Sequence, residues 1–306
     1  MSDGAGHPRR LSVVVLSWNT RELLSACLAS LEAVRRDDWQ VIVVDNDSAD
    51  GSADMVAERF GWVELIRNGQ NDGYAIGNNI GAARADGEYL LLLNSDTEVG
   101  EGVLEHLLTF LDEHPGHGAC APRLVHPDGE VQLSCKTFPT LWTAVFYDTV
   151  FQRWFPNNRT IPSYEMSDFD HLSSRDVDQP PGAALLIRRA LWEQLGGFDP
   201  ELWLFYNDVD LCLRIHRAGY QVAYLAEVAI LHHEGKSTSQ FRAFGAIWHK
   251  NRLAYYRKTF GWRGALVARL MTTIRGWEEA RKLKRGGAPK EARAEVWQSV
   301  REVWAA

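Results

Sequence analysis

The chain has 306 residues, 45% of them hydrophobic and 24% charged, which is ordinary for a soluble globular protein of one large or two small domains. No apolar run approaches the ~18 residues of a membrane-spanning helix, and Met1 to Arg10 lacks the apolar core of a secretory signal and reads as a frayed tail. The net charge of −7 hides a division: residues 1–235 carry 17 Lys and Arg against 35 Asp and Glu, whereas residues 236–286 carry 13 against 2.

Leu11 to Ser17 (LSVVVLS) reads as a strand, and Thr20 as the cap of a helix with Leu23, Leu24, Cys27, Leu28 and Leu31 at helical spacing. Gln40 to Val44 is a second strand, ending at Asp45. Ser52 to Phe60 reads as helix, Trp62 to Ile66 as strand, Ala75 to Ala85 as helix and Tyr89 to Leu93 as a strand apolar on both faces. Strands separated by helices imply right-handed βαβ units and a mainly parallel sheet. Past Pro122 the pattern turns irregular. His126-Pro-Asp-Gly129 signals a turn, and residues 136–180 are rich in aromatics and Pro without a period, so they are functional or hold short elements. Ala183 to Ile187 resumes as strand, Asp208 to Arg217 as helix ending at Gly219, and Val228 to Leu231 as a last strand. From about Gln240 the chain reads as basic, aromatic-rich helix. Cys27, Cys120, Cys135 and Cys212 lack C-x-x-C spacing, so neither a zinc site nor a disulfide framework is indicated and a reducing, cytoplasmic compartment is expected.

Four polar clusters follow these runs. Asp45 to Ser52 (DNDSADGS) can present a strand-end carboxylate to a base or ribose, or form an Asx-rich turn before a helix. Asn94-Ser95-Asp96 places a carboxylate where open α/β sheets bind ligands; it suits Mg²⁺ or Mn²⁺ shared with substrate phosphates, or caps the helix that begins near Gly102. Asp208 and Asp210 open a helix, where two acids also complement its dipole. Asp210 can pair with Arg214 at i,i+4. Asp208 stands beside Trp203, Phe205 and Tyr206, surroundings that raise a carboxyl pKa and suit a general base. His232-His233-Glu234 offers imidazole to a metal, or is structural.

In this order and spacing the clusters resemble the inverting GT-A glycosyltransferases of family two, in their bacterial rhamnosyltransferase-like branch. The matching segments are Val14 to Asn19, Asp45 to Ser52, Asn71 to Gly81, Leu93 to Asp96, Pro181 to Ala184, Gly197 to Asp199, Asn207 to Asp210 with Arg214, and His232 to Ser237. The resemblance covers about residues 9–240. It implies an α/β GT-A fold: a Rossmann-like, mainly parallel sheet flanked by helices over 11–239, divided near residue 121 into nucleotide-binding and acceptor-binding halves, with a helical extension over 240–306. It implies that Asn19, Asp45, Gly73, Asn78, Asn94, Ser95, Gly182 and Ala183 bind the nucleotide-sugar donor. Asp96 and His232 would hold a divalent cation, Mg²⁺ or Mn²⁺. His232 is preferred to His233 because the family places this His five residues before a Ser, here Ser237. Asp208 would be the catalytic base, with Trp203, Tyr206 and Asp210 on the acceptor side.

The implied activity moves one sugar, rhamnose favoured, from dTDP-rhamnose or a UDP-sugar to a hydroxyl of a glycan or lipid-linked acceptor in cell-envelope polysaccharide synthesis. Two departures matter. Asn94 stands where the family has an acid, which predicts weaker metal binding. Asn207 precedes the base in place of an acid, which removes a like charge that would raise its pKa. Gln-x-x-Arg-Trp is absent, which argues for single addition. The basic extension suits the anionic inner face of the plasma membrane; no nucleic-acid motif accompanies it, and a homodimer is compatible with the resemblance. A catalytically inactive nucleotide-sugar binder or envelope scaffold is the alternative that Asn94 and Asn207 keep open. A nicotinamide enzyme is disfavoured, because Ser17-Trp18-Asn19 stands where G-x-G-x-x-G belongs.

Overall fold

The computed structural model describes residues 9–233 and 244–306. Strands β1 (Leu11–Ser17), β2 (Trp39–Asn46), β3 (Glu64–Asn68) and β4 (Tyr89–Asn94) alternate with helices α1 (Arg21–Val34), α2 (Ser52–Arg59) and α3 (Gly73–Ala82). The strands run parallel in the order β3-β2-β1-β4. Period-two alternation sends Val13, Val15, Val43 and Leu91 to one face, against Leu24 and Leu28 of α1. Val14, Ile42, Val44 and Leu92 face the other side, against Ala75 of α3. Both faces are covered, which is why the middles of β1, β2 and β4 are unbroken apolar runs.

The chain continues through β5 (Thr97–Val99), α4 (Val103–Glu113), β6 (His117–Val125), three short helices α5 (Leu141–Phe146), α6 (Val150–Trp154) and α7 (Thr160–Tyr164), β7 (Arg175–Asp176), β8 (Ala184–Arg188), α8 (Arg189–Leu195), α9 (Asn207–Arg217) and β9 (Gln221–His232). One nine-stranded sheet results, in the order β3-β2-β1-β4-β8-β6-β9-β5, with β7 beside β9. Strand β8 enters antiparallel between β4 and β6, so the sheet is parallel in its first four strands and mixed beyond them. The division expected near residue 121 falls inside β6.

Strand β6 escaped the sequence pattern because Pro122 interrupts it. The structure tolerates that Pro at a register shift, where β6 and β9 part between Pro122 and Arg123. On the β9 side the same irregularity spans Ala226 to Val228, so only the run after it was legible as strand. Thr20 precedes α1 but makes no cap; its hydroxyl lies 3.0 Å from that of Ser17 and 2.9 Å from that of Ser95. Arg9 and Arg10, expected in the frayed tail, are tied down: the Tyr89 amide donates to the Arg10 carbonyl at 3.0 Å, and the Arg10 amide donates to the Asp38 carbonyl at 2.9 Å.

The chain ends in α10 (Phe244–Arg285), bent at Gly261 (φ 62°, ψ −149°), and α11 (Lys290–Ala305). Among the described residues no helix is long and apolar enough to cross a membrane. All four cysteines are buried and unpaired.

Candidate active site

A cleft of about 710 Å³ opens beyond the carboxyl ends of β1, β2 and β4, where open α/β sheets bind ligands. Gly73, Asn94, Ser95, Asp96, Gly182, Ala183, Tyr206, Asp208 and His232, all expected in the site, line it.

Sheet pairing assembles the first half. Strand β4 ends at Asn94, the chain turns through Ser95 and Asp96, and β5 returns antiparallel to the end of β9. That register sets Thr97 opposite His232 and so delivers the imidazole to Asp96, with Nε2 3.5 Å from Oδ1. Asp96 is therefore no helix cap; that place belongs to Gly102. His232 Nδ1 lies 2.8 Å from Gln132 Oε1, while Gln132 Nε2 donates to the His232 carbonyl at 2.8 Å. Gln132 thus orients the ring: Nδ1 donates to its Oε1, and Nε2 is turned toward a carboxylate oxygen. Two electron-rich atoms turned toward each other suit a shared cation, and imidazole held from behind by an acceptor is how proteins orient such a ligand. Among the described residues no third acid, His or Cys joins them. The donor set of one carboxylate and one imidazole fits Mg²⁺ or Mn²⁺ shared with a substrate diphosphate. Glu234 to Ser237, the remainder of that motif, lie outside the described residues.

Helix α9 supplies the second half. Tyr206, in the left-handed region at φ 64°, turns the chain into α9 and puts Asp208 in its first turn. Asp208 Oδ1 accepts from the Val209 amide at 2.8 Å. Asn207, in place of an acid, ties the turn together: its Oδ1 accepts from the Asp208 amide at 2.8 Å and its Nδ2 donates to the Leu204 carbonyl at 2.9 Å. Loss of water pushes the Asp208 carboxyl above its ordinary range, against the Val209 hydrogen bond and the positive charge of Lys136. Desolvation therefore does what a neighbouring acid would otherwise do. A Cβ on Gly182 would lie 2.9 Å from Asp208 Oδ2, so the glycine admits the base to the cleft. Gly73 (φ 80°) is required twice over, since a Cβ there would lie 2.5 Å from the Trp203 ring.

Five of the expected residues stand back from the cleft wall. Asn19 shapes the loop after β2, accepting from the Ala49 amide at 2.8 Å. Asp45 is buried there: Oδ1 accepts from the Ser48 amide at 3.0 Å, while Oδ2 has no hydrogen-bond partner among the described residues. A buried carboxylate oxygen left without a donor is costly, and a nucleobase N–H would satisfy it. Asn78 is turned into α3, donating to the Tyr74 carbonyl at 2.9 Å. Trp203 packs on Gly73, and its carbonyl accepts from the Tyr74 amide at 2.7 Å. Asp210, expected on the acceptor side, is 2% exposed beneath α9, held by Arg214 Nε at 2.7 Å and Lys258 Nζ at 2.8 Å. The i,i+4 ion pair took it inward.

Sequence reasoning missed Tyr74, Gln132 and Lys136, all of which line the cleft. The Tyr74 hydroxyl donates to the Gly182 carbonyl at 3.0 Å. The turn signal at 126–129 was the trace of Gln132: that turn folds the chain back so that the Gln132 amide donates to the Leu124 carbonyl at 2.9 Å. Lys136 opens the segment whose pattern could not be read, and its ammonium lies 5.4 Å from the Tyr147 ring centroid and 5.3 Å from that of Tyr164.

The sequence model of Glycosyl transferase family 2 matches residues 12–193, more than half of the chain. The chain belongs to glycosyltransferase family 2. It is 30% identical over 280 residues to an N-acetylglucosaminyl-diphospho-decaprenol L-rhamnosyltransferase of Mycobacterium tuberculosis, covering 87% of this chain and 89% of that protein. Among solved structures, a mannosyltransferase of Pyrobaculum calidifontis in complex with GDP-Man and Mn²⁺ superposes with a TM-score of 0.56 at 19% identity, covering 99% of this chain and 76% of the other. GalNAc-T7 with UDP, GalNAc and Mn²⁺ gives 0.57 at 15% identity, covering 83% of this chain and 51% of the other. These likenesses give the glycosyltransferase the GT-A fold expected from its motifs.

Proposed function

We infer that this glycosyltransferase moves a single sugar, rhamnose favoured, from a nucleoside-diphosphate sugar to a hydroxyl of a glycan or lipid-linked acceptor in cell-envelope polysaccharide synthesis, with inversion and with a divalent cation. The observation that carries the reading is one cleft holding the Asp96–His232 pair and the desolvated Asp208 as separate groups. The name of the mycobacterial relative supports rhamnose as donor sugar and a lipid-diphosphate sugar as acceptor. The unpaired Oδ2 of Asp45 supports a nucleobase at the end of β2.

When bound by Asp96 and His232, the cation would neutralise charge on the leaving diphosphate. Gln132 keeps the imidazole in the orientation that a ligand needs. Asp96 and Asp208 are the two carboxylates among the described residues lining the cleft. With Asp96 committed to the cation, Asp208 is left as the base. Its carboxylate takes the proton of the acceptor hydroxyl as that oxygen bonds to the anomeric carbon, and the bond from that carbon to the diphosphate oxygen breaks with its electron pair. Among the described residues no further carboxylate lines the cleft to act as a nucleophile, which supports a single displacement that inverts the centre.

Release of nucleoside diphosphate across a panel of nucleotide-sugars, with acceptor and with or without chelator, tests this. Asp208→Asn should lose about 10²- to 10⁴-fold in turnover while keeping its affinity for the nucleoside diphosphate. Equal rates for wild type and variant would sink the catalytic reading, and a product that retains the donor's anomeric configuration would sink inversion.

A further inference from the structure

A second groove shares no lining residue with the cleft. It measures about 730 Å³ and runs between α6 and the last turns of α10, with α11 closing one side. Trp154, Trp277 and Trp297 line it together with Arg281, Lys282 and Arg285. Trp154 is 67% exposed and Trp277 51% exposed. The Arg281 guanidinium sits 4.3 Å above the Trp277 ring. A shallower depression shares Trp277 and Trp297 and adds Lys284, Lys290 and Arg293. Glu278 also lines the groove but is paired with Arg153, and Glu279 shares neighbouring hollows with Arg275 and Lys282, so cations outnumber acids along the groove. The aromatic surface continues along the chain, where exposed Phe155 meets Phe146 edge-on at 6.1 Å and Phe146 stacks on exposed Trp142 at 6.2 Å.

We propose that this face of α6, α10 and α11 docks the enzyme on an anionic lipid surface. A merely solvated helix face would not expose indoles beside an excess of cations. Indole rings settle at the boundary between headgroups and acyl chains, and Lys and Arg gather anionic headgroups around them. The surface is also joined to the cleft. Helix α6 follows shortly after Tyr147, whose ring holds the ammonium of Lys136, and Lys136 lines the cleft. A lipid-linked acceptor would thus be met where its membrane is met. This deepens the lipid-linked reading above, and its test needs no sugar transfer.

The test is flotation of the full chain with neutral phosphatidylcholine vesicles and with vesicles containing phosphatidylglycerol. Wild type should float with the anionic vesicles alone, less so as salt rises. Arg281→Gln, Lys282→Gln and Arg285→Gln together should lower the partition coefficient about a hundredfold. Trp154→Ala with Trp277→Ala should lower it about tenfold. Unchanged circular dichroism and unchanged release of nucleoside diphosphate from a soluble acceptor reaction should accompany both. Flotation of the triple variant like wild type would overturn the proposal. So would equal recovery on neutral vesicles, or displacement of the bound protein from anionic vesicles by a short oligonucleotide at equal phosphate concentration, which would mark a nucleic-acid surface. Flotation without any turnover by wild type would leave docking intact and remove the catalytic reading instead.

Discussion

Before its bend at Gly261, α10 carries Trp248, Arg252, Tyr255, Tyr256 and Lys258; after it come Trp277, Arg281, Lys282 and Arg285. The two stretches have nearly the same composition and opposite surroundings. Tyr255 stacks on Tyr206 at 5.1 Å, at the turn that leads into α9. Asn251 Oδ1 accepts from the amides of Leu204 at 3.0 Å and Phe205 at 2.9 Å. Arg252 is 1% exposed, donating to the Ala144 carbonyl beneath the Trp248 ring. Lys258 reaches Asp199 at 2.6 Å and Asp210 at 2.8 Å. In the first stretch two acids thus consume Lys258, and a backbone carbonyl takes Arg252. In the second stretch Arg275 pairs with Asp148, while Arg281, Lys282 and Arg285 stay exposed beside Trp277. Basic, aromatic composition is therefore shared by a clamp and a docking face, and what separates them is the charge of the surface each one meets.

The hardest blow to the first stretch is Tyr256→Ala. Tyr256 is 1% exposed, packs on Phe260 at 5.6 Å and donates its hydroxyl to the Thr140 carbonyl at 3.2 Å. Its loss should cost about 3–5 kcal/mol in urea denaturation. A cost below about 1 kcal/mol would show that the first stretch is no more a core than the second.

Lys258→Met comes next. It takes one of two cations from the buried Asp210 and should cost about 1–3 kcal/mol. Because Asp210 shares the first turn of α9 with Asp208, kcat should fall by about tenfold with little change in donor KM. Stability lost with kcat intact would mean that the clamp holds the fold and not the base.

Lys136 lies between the two regions, on the segment that joins cleft to docking helix. Its charge lowers the carboxyl pKa of Asp208, which burial raises. The base proposed at Asp208 would work ionised, so kcat/KM should fall as pH drops through its pKa in the folded enzyme. Lys136→Met removes the lowering charge and should move that acid limb to higher pH. An unmoved limb, measured with a donor at saturating metal, would show that Lys136 does not feel the base.

How much of this was legible depended on how locally each feature is encoded. Strand β1 was read to the residue, and β4 to within one, because both faces are buried and each holds an unbroken apolar run, Val13 to Leu16 and Tyr89 to Leu93. Asp45, Asp96 and Asp208 were legible as strand-end or helix-start acids. Strand β6 was not, since Pro122 breaks its pattern and only the register shift against β9 explains the break. Tyr74 and Lys136 carry no signature of a role in the cleft, and Gln132 left only the turn before it; Gln132 meets His232 and Tyr74 meets Gly182 through long-range contacts. Asp210 misled for the converse reason: its local pattern offered either an acceptor contact or an ion pair, and Lys258, 48 positions further on, decided for the pair.

The smallest effect is the sharpest test of the contrast. Trp277→Ala with Arg281→Gln removes an indole and a guanidinium, the same groups whose loss from the first stretch would open a core. Here both are exposed, and the cation–π contact between them is worth little more than ~0.5–1 kcal/mol at such a site. The lost contact and the small apolar area involved are offset by side-chain freedom regained, so the double variant should unfold in urea within about 0.5 kcal/mol of wild type. Repeating the melt with phosphatidylglycerol vesicles should separate the two proteins, because a surface that binds the folded state alone stabilises it in proportion to its affinity. A loss above about 2 kcal/mol without lipid would place Trp277 in a core and make both stretches of α10 clamps.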